Sequence, residues 1–186
     1  MADTIKEAST SIVHTRKVIY EGRQFSFLKE RITLPHNVET EMAFVKHPGS
    51  AVIVPLFDDQ TIGIIKQFRH VIGQYIYEIP AGTMDPGELP EQCAKRELEE
   101  ETGFAASDFI NLGKTYLLPA YSDEVSHIFL ARNMEKTAQN LDVDEIIEVL
   151  RFNVQEILEM IDAGIITDAL SILAILRTVQ YLEQGE

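Results

Sequence analysis

Residues 82–104 read GTMDPGELPEQCAKRELEEETGF, and a helix is predicted there from about residue 90 to 101. Pro90 stands where a first helical turn tolerates a missing N–H, and Gly103 where the chain leaves the helix. At roughly 100° per residue, Lys95, Glu99, Gln92, Glu91 and Thr102 gather on one side, which is expected to face solvent. Glu97, Glu100 and Glu101 fall on the opposite side, together with Cys93 and Ala94. Carboxylates at i, i+3 and i+4 repel one another by about a few tenths of a kcal/mol per pair. Turned away from water they cost more, because an unpartnered ionised carboxylate is expensive to desolvate. A hard divalent cation resolves both problems. Mg2+ takes oxygen ligands, is held by a carboxylate or two, and completes its shell with water and substrate phosphate. The plain alternative is a solvated acidic helix face, and the grouping of these glutamates with apolar positions disfavours it.

Outward from this helix, the chain alternates strand and helix signals. Upstream, SAVIVPLFDDQTIGIIKQF reads as two apolar strands around an Asp58-Asp59-Gln60 turn, and QYIYEIPAG as a further extended piece ended by Pro80 and Gly82. Downstream, FINLGKTYLL, VSHIFLARNM and IIEVLRFN are strand candidates. Two helices follow, VQEILEMIDAG and TDALSILAILRTVQYLEQ; in the second, Leu170, Leu173, Ala174, Leu176 and Arg177 recur at helical spacing, and the apolar stripe reads as core. A mixed sheet with helices on both faces is the expected α/β architecture. Residues 10–46 read instead as short strands with turns at Glu21-Gly22 and Pro35-His36-Asn37, an N-terminal antiparallel sheet too small to bury a core alone. The expected division is an N-terminal sheet segment, 1–48, and a larger domain, 49–186.

The chain has 186 residues and a net charge of −14, which argues against nucleic acid as the main partner, since such binders carry basic patches. It leaves phosphate substrates open, because bound metal ions invert the local field. No run approaches the ~20 apolar residues that cross a bilayer, so no membrane partner is expected. MADTIKEASTS has no apolar core of a secretory signal, and Cys93 stands alone, so no intrachain disulfide forms. A reducing compartment, the cytoplasm, is expected.

Gly82, Glu88, Arg96, Glu97, Leu98, Glu100, Glu101, Gly103 and Phe104 fill without a gap the pattern G-x5-E-x7-R-E-U-x-E-E-x-G-U, where U is bulky and apolar. The stretch thereby resembles the Nudix signature, and the chain is identified as a member of the Nudix hydrolase family. The resemblance implies an αβα sandwich whose loop–helix–loop binds Mg2+ or Mn2+. It implies Glu97 and Glu101 as leading metal ligands, Glu100 as a further ligand or base, and the Ala81 carbonyl completing the site. Arg96 is expected to hold the glutamates through a bidentate contact, with Glu88 as its candidate partner. Gly82 and Gly103 are expected where a Cβ would obstruct.

Further residues narrow the resemblance to the ADP-ribose pyrophosphatase and nucleoside-diphosphate-sugar hydrolase subgroup. Pro119 lies 15 residues after Phe104, and LPAYSDEVSHIFLA, EIPAG and KQFRH are similar to segments of those enzymes. The resemblance implies that Arg69 contacts the diphosphate and Glu124 the terminal sugar or its phosphate, while Glu78 is a metal-site support or a structural acid. It implies a homodimer in which the N-terminal sheet of one subunit completes the other's nucleotide pocket and stacks an aromatic on the base, with Phe27 ahead of Phe25 and Tyr20. Glu41-Met42 departs from the Arg-Glu pair common in relatives, which puts the adenine contact in doubt. The loop LDVDEIIEV offers Glu145 as general base, with Asp142 and Asp144 beside it, and His127 reads as structural. The expected reaction is metal-dependent hydrolysis of a nucleoside diphosphate sugar, ADP-ribose giving AMP and ribose 5-phosphate. GDP-mannose or a dinucleotide is the alternative substrate, and a catalytically silent nucleotide-sugar sensor the alternative class.

Overall fold

The computed structural model describes residues 10–143 and 145–185. The polar stretch 1–9, which carries most of the signal-peptide reading, and Asp144, named beside Glu145, lie outside the described residues. The chain forms two compact units: one runs through His47 and adds Leu118–Glu124, the other comprises Pro48–Leu117 and Val125–Glu186.

The first unit is an antiparallel meander of β1 (Ile12–Glu21), β2 (Ser26–Leu34) and β3 (Val38–Lys46), in that order. Along β2 the side chains alternate, and Leu28, Glu30 and Ile32 are buried. Arg16 Nε lies 2.5 Å from the Glu30 carboxylate and compensates its charge. The 118–124 segment is strapped to the end of β3 by Val45 N–H to Tyr121 O at 2.8 Å and Asp123 N–H to Val45 O at 3.2 Å.

The second unit begins with β4 (Ser50–Pro55), β5 (Thr61–Arg69), β6 (Gln74–Glu78) and β7 (Ala81–Thr83). Helix α1 (Pro90–Thr102), β8 (Phe104–Tyr116), β9 (Val125–Lys136) and β10 (Ile147–Asn153) follow, and α2 (Val154–Asp162) and α3 (Ala169–Glu183) close the chain. A mixed sheet has the order β7-β4-β9-β8, with β4 and β9 parallel, and an antiparallel sheet the order β10-β5-β6. Strand β4 is buried at every residue, as a strand covered on both faces must be. Its alternation explains the layers. Val52 and Val54, with Ile128 and Leu130 of β9, join Ile157 of α2 and Leu170, Ala174 and Ile175 of α3. Ala51 and Ile53, with Phe129 and Ala131, face Cys93, Ala94 and Leu98 of α1.

Three local expectations are corrected. The Asp58-Asp59-Gln60 turn exists, with Gln60 at φ 62°, but the strands beside it enter different sheets and touch through the Leu56–Ile62 bridge. Both runs are apolar on both faces, so their pattern carries no information about partners. Leu176 is 46% exposed; the buried stripe of α3 runs through Leu170, Ser171, Ala174, Ile175 and Thr178. Thr102 is buried rather than solvent-facing, because its hydroxyl bonds the Leu98 carbonyl one turn back and leaves only the methyl to pack.

Candidate active site

Helix α1 starts at Pro90, with Gln92 Oε1 accepting from Leu89 N–H at 3.0 Å, and ends at Gly103, whose φ of 70° lets the chain turn away. Its small face, Cys93 and Ala94, lets the helix lie close on β4 and β9, and this carries Glu97 and Glu101 inward on the same side. Glu97 is 9% and Glu101 3% exposed, while Glu100 sits at the rim. No basic residue stands in the last turn. The negative end of the helix dipole therefore adds to the glutamates' own charge.

Arg96 spends all its donors on this cluster. Nε and Nη2 bind the two oxygens of Glu88 at 3.0 and 2.9 Å, Nη1 reaches Glu97 at 2.6 Å and Glu100 at 3.1 Å, and Nη2 also bonds the Thr83 carbonyl at 3.1 Å. The fork geometry fixes three carboxylates and the β7 backbone relative to one another. Those bonds hold the Glu88 carboxyl below the usual range.

Residues 78–82 form the opposing wall. Glu78 is buried and accepts from Arg69 Nε at 2.9 Å; burial raises its pKa, and Arg69 offsets part of that. Pro80 O accepts from Ile53 N–H at 2.9 Å, which ties the wall to β4. Ala81 N–H donates to Glu101 Oε2 at 2.9 Å. Gly82 lies so close to Glu97 that a Cβ there would sit 1.9 Å from its carboxyl carbon. A side chain at this position would displace the carboxylate that occupies the space.

Burial pushes Glu97 up to about 7 although Arg96 pulls it down, and the charges of Glu100 and Glu145 add to the rise. Burial raises Glu101 well above the ordinary glutamate value, with Glu97 and Glu145 contributing and Arg69 opposing. Burial likewise pushes the Cys93 thiol up to about 12, so it is packing rather than a nucleophile.

The segment after β9 completes the end of α1. Thr137 N–H bonds Gly103 O at 2.8 Å, Asn140 N–H bonds Glu100 O at 2.9 Å and Gln139 Nε2 bonds Glu101 O at 2.6 Å. The chain then leads into the loop bearing Glu145, whose Oε2 accepts from Asp142 N–H at 2.9 Å. The fold thus gathers Glu88, Arg96, Glu97, Glu100, Glu101, Ala81, Arg69, Glu78 and Glu145 in the second unit. Glu124 and Phe27 belong to the first, where Glu124 lies 3.8 Å from His47 Nδ1 and Phe27, 37% exposed on β2, is paired in register with Tyr20 and Val45. Thr83, Gln139 and Asn140 escape sequence reading because they act through backbone atoms or on backbone atoms.

Among the described residues no three His, Cys, Asp or Glu side chains already converge as a ligand cluster. Glu97 leans on Arg96 and Glu101 on the Ala81 amide. The donors nevertheless fit a divalent ion: all are hard oxygens, and two are buried carboxylates whose pKa is raised first by burial and then by one another's charge or that of neighbouring carboxylates.

A family model described as NUDIX domain matches residues 46–169. The chain is 34% identical over 173 residues to the ADP-ribose pyrophosphatase of Bacillus subtilis (strain 168), covering 92% of this chain and 91% of that protein. It is 31% identical over 170 residues to the methanol dehydrogenase activator of Bacillus methanolicus, covering 90% of each. A crystal structure of ADP compounds hydrolase superposes with a TM-score of 0.83 over 97% of this chain and 98% of that one, at 20% identity, and so shares the fold. The buried carboxylates on α1, the αβα layers and these matches agree: the chain belongs to the Nudix hydrolase family, whose members generally use divalent metal ions. Among the described residues no helix is long and apolar enough to cross a membrane.

Proposed function

We propose that this enzyme hydrolyses the diphosphate of a nucleoside diphosphate sugar, with ADP-ribose as first substrate, giving AMP and ribose 5-phosphate. The observation that carries this reading is the pair of buried glutamates, Glu97 held by Arg96 and Glu101 by the Ala81 amide, with the Arg69 charge acting on Glu101. The relative from Bacillus subtilis, named an ADP-ribose pyrophosphatase and matched over nearly the whole chain, supports the choice of substrate. Glu97, Glu101, Glu100 and the Ala81 carbonyl would hold Mg2+ or Mn2+, which when bound neutralises diphosphate charge and acidifies water. Arg69 binds the diphosphate, its guanidinium oriented by Glu78. Glu145 takes the proton of the attacking water; it stands on a separate loop, so it need not be a metal ligand. Arg96 acts as a positioning residue. Glu124 contacts the terminal sugar or its phosphate, and Phe27 of one subunit stacks on the base bound by the other subunit. The chain is a homodimer built on the N-terminal sheet, segment 1–48, since β1 is exposed along its whole length with Ile12, Val18, Ile19 and Tyr20 outward.

The test is product release from ADP-ribose, GDP-mannose, UDP-glucose, NADH and diadenosine polyphosphates with Mg2+. ADP-ribose turning over fastest supports the proposal; no turnover of any diphosphate overturns it. The relative named as a dehydrogenase activator favours a second reading, in which the domain acts by binding a nucleotide and regulating another enzyme. Binding of ADP-ribose without turnover is the result that reading expects.

A further inference from the structure

Helix α3 carries a hydroxyl that the family chemistry leaves unused. Between β6 and β7 the chain passes through Ile79 and Pro80, which belong to neither strand. Pro80 has no N–H, so Ile79 has the backbone donor at this junction, and its residue is 2% exposed. A buried N–H left unpaired is costly, and no sheet partner is available to this one. Ser171 Oγ accepts from it at 2.9 Å across 92 residues of chain. Ser171 is 1% exposed, and its own hydroxyl donates to Asp168 Oδ2 at 2.6 Å, which turns a lone pair toward Ile79. Asp168 is the N-cap of α3 and also accepts from Ser171 N–H at 2.7 Å, so hydroxyl and helix terminus are fixed together.

The clamped point sits inside the wall of the site. One residue before it is Glu78, partner of Arg69; two residues after it is Ala81, whose N–H holds Glu101; the next is Gly82, against which Glu97 lies. The Ile53–Pro80 bond fixes the other side of the same short stretch. We propose that Ser171, oriented by Asp168, is a positioning residue for Glu97 and Glu101, fixing the 78–82 backbone on which both carboxylates are seated. The inference rests on the reading of those glutamates as metal ligands.

The test is Mn2+ binding to the substrate-free protein, followed by EPR or calorimetry, beside the thermal midpoint. Ser171→Ala should weaken Mn2+ binding by roughly tenfold, the low end of what loss of a supporting hydrogen bond does to metal affinity. Ser171→Cys, which keeps the shape and a weaker hydrogen-bonding atom, should lose roughly two- to fivefold and serves if the alanine variant does not fold. Thr178→Val is the control: Thr178 is as buried on the same helix, but its hydroxyl bonds Ala174 O within the helix, so this variant should shift the midpoint alone. Ser171→Ala or Ser171→Cys binding Mn2+ as wild type does, with only the midpoint lowered, overturns the inference. Glu101→Gln separates the levels. If it too leaves Mn2+ binding unchanged, the metal-site reading fails and the inference with it; if it abolishes binding while the Ser171 variants do not, only the inference fails.

Discussion

On one face of the β4–β9 pair, Val52, Val54, Ile128 and Leu130 meet the branched side chains of α2 and α3. On the other, Ala51, Ile53, Phe129 and Ala131 meet α1 through Cys93, Ala94 and Leu98, flanked by Glu97 and Glu101. The first face buries hydrocarbon and stabilises the fold. The second uses small residues to bring a helix close, and then sinks carboxylates beside it, which costs stability unless charge is supplied. A domain tolerates such a site because its stability is carried elsewhere. Variants on the two faces should therefore separate activity from stability.

The largest effect is expected at Glu145. Glu145→Gln should lower the single-turnover rate by on the order of 10²–10³, with substrate Kd within a few-fold, as loss of a general base does. A near-normal rate in this variant, with Glu100→Gln inactive, would move the base onto α1. Arg96→Lys should lower kcat/KM by roughly 10- to 100-fold, since an ammonium cannot satisfy Glu88, Glu97 and Glu100 together. On the opposite face, Ile175→Ala should cost about 2–4 kcal/mol in denaturant unfolding while kcat at low temperature stays within about twofold. A large kcat loss there would erase the division between the faces. Gly82→Ala should have the smallest effect, roughly fivefold in the metal concentration for half activity, because the Glu97 carboxylate must shift but its side chain is flexible.

Much of the second face was legible because its rules are local. The helical spacing puts Glu97, Glu100 and Glu101 on one side by geometry alone, while Glu88 as candidate partner of Arg96 came from the resemblance, and the structure shows that contact. The opposite face was legible in kind but not in pairing. Residues 50–69 announce two buried strands, yet which sheet each joins is decided by distant partners: β9 for one and β10 for the other. The start of β8 was missed because Ala105, Ala106 and Asp108 have weak strand preference; pairing with Glu135, Met134 and Arg132 overrides it. Ser171 looked like one more position in an apolar helix. Its role depends on an amide 92 residues away, which no periodicity reveals.

Glu97 and Glu101, the proposed metal ligands, are buried carboxylates whose ionisation is opposed by burial. Glu97 has its pKa raised from the ordinary 4.5 to about 7, so between those values the folded protein keeps a proton that the unfolded chain has released. Stability of the metal-free protein should then fall as pH rises from about 4.5 to about 7, and Glu101, also raised, extends the fall upward. The direct measurement is the thermal midpoint of wild type and Glu101→Gln at pH 5 and pH 8, with and without Mg2+. At pH 8 the wild type should gain roughly several degrees from Mg2+, and much less at pH 5. Glu101→Gln should melt higher than wild type without metal at pH 8 and gain little from it. A wild type indifferent to Mg2+ at pH 8, or a Glu101→Gln variant that responds to it as fully as wild type, would contradict the account.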